Sequence, residues 1–166
     1  MAVGLTSNTA VNALFAQEAR SLFGVPATYV GADSIDPGVT TEKIERERGL
    51  VLFGGPRDLG RWNVRFRHNE APIVYLRFQG EPAKEEAEPA KEGENPALAE
   101  RKTEDWLLLT LYRDKKTLLV HSATKPQQGD IGAFVLHAAT SEQALKSLAE
   151  TGWEPVAIPS EGSSQS

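Results

Sequence analysis

Cysteine is absent from this 166-residue chain, so neither a disulfide framework nor a thiolate metal site can form. Long apolar runs are missing too, and none approaches the ~20 residues that a membrane-spanning helix requires. The opening residues, Met1 to Asn8, lack a basic patch followed by a long apolar core and do not read as a secretory signal. A soluble chain is expected. Positive charge is in short supply: 18 Lys and Arg stand against 23 Asp and Glu, a net charge of −5. That balance argues against a nucleic-acid binder, which needs clustered cations to meet phosphates.

The negative charge is concentrated. Between Gly80 and Glu104 eight Glu face three Lys and one Arg, a net of −4 that leaves −1 for the other 141 residues. The pentapeptide Glu-Pro-Ala-Lys-Glu occurs there twice, at 81–85 and 88–92, and 80–96 contains no aromatic or β-branched residue. Such a stretch cannot bury enough apolar area to offset its ordering entropy, so 80–104 is expected to be a disordered acidic loop. The Ser-rich tail 159–166 is expected to be disordered as well.

The ordered remainder reads as α/β. Val3–Leu5 has the composition of a short strand, and Ser7 or Asn8 can cap a following helix by accepting a backbone hydrogen bond. Val11, Leu14, Phe15, Ala19, Leu22 and Phe23 recur with helical spacing, which predicts one apolar stripe along that helix. Gly24 supplies a left-handed cap and Pro26 blocks continuation. Ala27–Val30 then resumes as a strand, completing a βαβ unit and implying a parallel sheet.

Thr40–Arg48 suits a charged helix and Leu50–Phe53 a short strand. Asp58–His68 is open between two readings. Trp62, Val64 and Phe66 alternate like a strand, while Leu59, Trp62 and Phe66 keep helical spacing behind a possible Asp58 cap. Ile73–Phe78 and Trp106–Tyr112 are strands. Asp114–Lys116 makes a hairpin turn into Thr117–His121. Pro126–Asp130 is a turn before the strand Ile131–His137. Thr140 and Gln143 have capping-box spacing ahead of a helix bearing Ala144, Leu145 and Leu148. Gly152 stops it and Trp153 begins a last strand.

Catalytic signatures are sparse. Gly55 and Gly60 have the glycine spacing of a phosphate loop, yet Arg61-Trp62 stands where a Lys-Ser/Thr pair must contact phosphate and Mg²⁺. A plain turn is the favoured reading. His68, His121 and His137 lie far apart in sequence and in no metal-ligand spacing. Ser122 beside His121 is not a nucleophile–base pair, because adjacent strand residues point to opposite faces. Glu42, Glu45 and Glu47 read as the wet face of a helix. Arg57, Arg61, Arg65, Arg67 and Arg77 form a local basic cluster, either a solvated face or a contact for phosphate-bearing anions. No enzyme activity is expected.

Two stretches carry a family resemblance. In Leu5–Pro26, Thr6-Ser7 is followed by Asn12 and the helix closes on Ala19-Arg-Ser-Leu-Phe-Gly-Val-Pro26. This resembles the second half of the TrkA-N (RCK/KTN) domain. Leu107–Tyr112, the turn Pro126-Gln-Gln-Gly-Asp130 and the ending Ala144–Trp153 resemble the C-terminal lobe of sodium/proton antiporters that carry such domains. Together they span about half the chain.

The resemblance implies a partial Rossmann-like βαβ layer over 1–56, then a small α+β lobe over 57–79 and 105–158. That lobe would hold mostly antiparallel strands and one C-terminal helix. It implies the cytosolic regulatory region of a bacterial Na⁺ or K⁺/proton antiporter, a truncated piece at the cytoplasmic face of the cell membrane. The transmembrane portion of the same polypeptide would be its partner, and a homodimer its assembly. Thr6, Ser7 and Asn8 would border the nucleotide crevice as half a site. No cofactor is expected, because the glycine-rich phosphate turn of that family is not in this sequence. The competing expectation is a free-standing ligand-binding or dimerisation module with no transporter.

Overall fold

In a computed structural model the chain is described over residues 1–34, 39–80 and 105–156. Of the acidic loop 80–104 and the tail 159–166, both expected to be disordered, all but Gly80 lie outside these residues. The fold is α/β. A three-stranded parallel sheet runs in the order β1 (Ala2–Gly4), β2 (Thr28–Val30), β3 (Leu50–Val51). A five-stranded antiparallel sheet holds β4 (Ile73–Phe78), β5 (Trp106–Arg113), β6 (Lys116–Leu119), β7 (Ile131–Leu136) and β8 (Trp153–Pro155), in the order β6-β5-β7-β4-β8.

The helix α1 (Thr9–Phe23) links β1 to β2 as the periodicity requires. Asn8 is its cap, accepting from the Val11 N–H, and Gly24 closes it at φ 63°. The apolar stripe, Ala19 excepted, faces outward. Thr9, Asn12, Ala16 and Ala19 are buried, whereas Val11, Leu14, Phe15, Leu22 and Phe23 are 49–78% exposed. Close approach explains which side is buried. A Cβ on Gly4 would lie 2.9 Å from the Asn12 carbonyl oxygen, so helix and strand nearly touch. Only small side chains, or an amide with its hydrogen bonds satisfied, fit between them.

Ala16 joins Val30, Ala32, Val51 and Ile44 of α2 (Thr41–Arg46) in one small core. Alternation along the strands puts Val3, Tyr29 and Leu52 on the opposite face. α3 (Leu59–Arg67) is helical behind the Asp58 cap, which settles the open reading of that segment. Its Trp62 packs with Leu107 and Val135 on one face of the five-stranded sheet. α4 (Ser141–Ala149) covers the other face through Ala144 and Leu148, over Leu76, Trp106, Phe134 and Trp153.

The expected capping box does not form. Thr140 belongs to a short 3-10 turn over 138–140, and its hydroxyl donates to Asp105 Oδ1 at 2.7 Å. The helix therefore begins at Ser141 without a side-chain cap.

The two sheets are joined through their backbones. The Phe53 N–H donates to the Val120 carbonyl at 2.9 Å, and Ser122 N–H to that of Val51 at 2.7 Å. Leu52 and His121 face each other in this antiparallel seam. The hairpin before it turns through Asp114 and Lys115, both with positive φ.

Candidate functional site: a cleft between the two sheets

The carboxyl ends of parallel strands are where open α/β sheets bind ligands, because the chain diverges there and leaves a crevice. Here β1 and β3 end on a half-open cleft of about 600 Å³. Val3, Leu5, Thr6 and Ser7 supply one wall, and Leu52 and Phe53 the base beside the seam. Leu59, Trp62, Asn63 and Phe66 of α3 form a second wall. Leu107, Leu109 and Thr110 of β5, with Leu119 of β6, complete it. α3 presents this wall because positions 59, 62, 63 and 66 lie on one helical stripe.

Trp62 is 3% exposed and fixed from two directions. It shares a core with Leu107 and Val135, and the Arg65 guanidinium sits 4.6 Å from its ring centroid. Phe66, one turn further along, is exposed.

The three residues expected to border a nucleotide crevice have different roles. Thr6 and Ser7 line the cleft, whereas Asn8 is spent on the α1 cap. Thr6 is bound to buried Asn12. Its N–H and its hydroxyl donate to Asn12 Oδ1 at 2.9 and 2.8 Å. Asn12 Nδ2 returns hydrogen bonds to the carbonyls of Thr6 and Gly31, both at 2.8 Å. The Asn12 side chain thus uses two donors and two acceptor sites. The Thr-Ser turn and the Asn of the resemblance are a clamp closing β1 onto α1 and onto the end of β2. The Thr6 N–H is committed to Asn12, and no charged side chain is among the residues that line the cleft.

The loop with phosphate-like glycine spacing also points inward. Arg57 is 9% exposed and donates to the carbonyls of Phe53 and Pro56 at 2.8 and 2.9 Å. Its Nε is buried without a partner, and burial lowers its pKa to about 10. With Arg65 also buried, the five arginines do not form one solvated face; Arg61, Arg67 and Arg77 are exposed.

The histidines are dispersed, and the described residues contain no group of three His, Cys, Asp or Glu side chains able to hold a metal ion. His68 ends α3, and His137 Nδ1 lies 3.4 Å from the Thr140 hydroxyl. His121 sits on the seam beside the Tyr29 ring, 5.8 Å between centroids, and burial lowers its pKa.

The site was only partly signalled by sequence. The α3 stripe was visible as spacing, but nothing local indicated that it faces β1 and β5 across a gap. No family model matches the chain, and no curated protein does.

Proposed function

We propose that this chain is the cytosolic regulatory region of a bacterial monovalent cation/proton antiporter, modulating transport without moving ions itself. Its partner in this reading is the transmembrane portion of the same polypeptide. The reading is supported first by the sequence resemblance at 5–26 and in the C-terminal segment. It is supported also by an α/β fold of the class that resemblance implies. Among the described residues no helix is long and apolar enough to cross a membrane.

The observation that carries a regulatory role is the cleft itself. Its walls come from both sheets, and among the described residues the backbone hydrogen bonds between the sheets lie in one seam, Val51 and Phe53 with Val120 and Ser122. A ligand that fits one relative arrangement better favours that arrangement by its difference in affinity. Transport tests this directly. In everted vesicles, the polypeptide encoded by the complete gene should collapse a proton gradient on adding Na⁺ or K⁺. Removing residues 1–156 should change the ion or pH dependence of that response. An unchanged response, or a gene product without antiport, would overturn the reading in favour of a free-standing ligand-binding or dimerisation module.

A homodimer fits either setting. Val11, Leu14, Phe15, Leu22 and Phe23 give α1 an outer face that a second copy of the same helix can cover in a two-fold pair.

A further inference from the structure

We propose that the cleft binds a neutral, flat, largely apolar small molecule, held by ring and aliphatic contacts and oriented by a few hydrogen bonds. Charge is the first argument. One residue in four of the chain is charged, yet none of the fourteen residues lining the cleft is. An ionised ligand would leave water there without meeting a counter-charge, and such desolvation is strongly unfavourable.

Size and lining are the second argument. About 600 Å³ lies within the ~300–1,000 Å³ typical of small-molecule sites. Ten of the fourteen side chains are apolar, and Phe53 and Phe66 offer aromatic surface in front of the buried Trp62 ring. Trp62 is already fixed by Arg65, Leu107 and Val135, so binding need not order it.

The third argument is the polar set. Thr6 is committed to Asn12. Ser7, Asn63 and Thr110 make no side-chain hydrogen bond among the described residues, and they stand on three different walls. They can orient a ligand carrying two or three hydroxyl, carbonyl or amide groups. A purely hydrocarbon ligand would leave them unmatched.

This ligand class rests on the cleft being the sensing site of the regulatory reading. Its test involves no transport, so failure of the ligand proposal and failure of the regulatory reading are told apart. The full chain is titrated with N-phenyl-1-naphthylamine, a neutral fluorophore, and with 8-anilinonaphthalene-1-sulfonate, the same rings carrying a sulfonate. Saturable binding of one neutral probe per chain is expected, at least tenfold tighter than the anion.

Asn63→Trp, at an exposed helix position, should fill the cleft and weaken the neutral probe at least tenfold. Ser7→Trp, on the opposite wall, should do the same, and circular dichroism verifies that both fold. Leu14→Asp, on the outer face of α1, should leave binding unchanged. No saturable binding would overturn the proposal, showing a cleft closed by another part of the chain or by a second copy. Binding lost in Leu14→Asp but kept in both Trp variants, or an anion bound as tightly as the neutral probe, would overturn it too.

Discussion

Arg113 and Asp130 form a two-pronged ion pair, Nε to Oδ1 at 2.8 Å and Nη2 to Oδ2 at 2.6 Å, that ties the end of β5 to the start of β7. Asp130 Oδ2 also accepts from the Gln127 N–H at 2.8 Å, so the carboxylate organises its own turn. Gly129 makes the turn possible at φ 92° and donates its N–H to the Phe78 carbonyl. The Pro-x-x-Gly-Asp pattern is therefore a device for holding strands in register. Burial pushes the Asp130 pKa up, but the Arg113 hydrogen bonds, the Gln127 N–H and the Arg113 charge together bring it below the usual carboxylate value.

Asp130→Asn is expected to destabilise the fold by about 2 kcal/mol, because the half-buried guanidinium loses its charged partner. Since the folded-state pKa is lowered, the pair's contribution is present above the unfolded value near ~3.9 and is lost as pH falls through the lower folded value. Urea unfolding at pH 7 and pH 3 checks both points. The gap between wild type and variant should be largest at pH 7.

Asn12→Ala should cost more, about 3 kcal/mol. It removes four hydrogen bonds and strands the Thr6 N–H and the Gly31 carbonyl beside a cavity. Asn12→Asp should be no milder, since it replaces two donors by a buried charge. Equilibrium denaturation of both variants measures this, and a loss below 1 kcal/mol in Asn12→Ala would contradict the clamp.

His121 should make the seam acid-sensitive. Its Nδ1 accepts from the Ala123 N–H at 3.3 Å, an interaction that protonation removes. With the folded pKa below the unfolded value of ~6.5, the unfolded chain takes up the proton first. Stability should therefore decline as pH drops below about 6.5 and through the lower folded value. His121→Gln should flatten thermal unfolding midpoints between pH 7 and pH 5.

The outer face of α1 predicts association. Sedimentation equilibrium at tens of micromolar should show a dimer, and Leu14→Asp should return it to a single 18.1 kDa species with little loss of thermal stability. A wild-type chain that is monomeric under these conditions would leave that face uncovered and refute the pairing.

Local signals predicted this fold better than its packing. Asn8, Gly24 and Asp58 are caps whose chemistry acts within a few residues, and all three act as caps. Asp114–Lys115 and Gly129 mark turns for the same reason. The α1 stripe identified the helix, but apolar spacing does not tell which neighbour approaches it. Gly4 and Ala16 decide that here, by letting strand and helix come close. Thr140 had cap spacing, but Asp105, 35 residues away, competes for its hydroxyl. The cleft was least legible, since its walls come from four separate stretches of chain that meet only in the folded molecule.

The seam between the sheets has a consequence for how the chain reaches its folded state. Val51 and Ser122, bonded across it, are 71 residues apart in sequence. At ~5–20 residues per second of synthesis, the outer edge of β3 waits several seconds for its partner. During that interval the parallel sheet presents free N–H and C=O groups to any other strand nearby, the geometry through which nascent chains aggregate. β3 is only two residues long, which limits the edge on offer. Closing so long a loop comes late and slowly, so the cleft, walled by both sheets, should be the last feature of the molecule to mature.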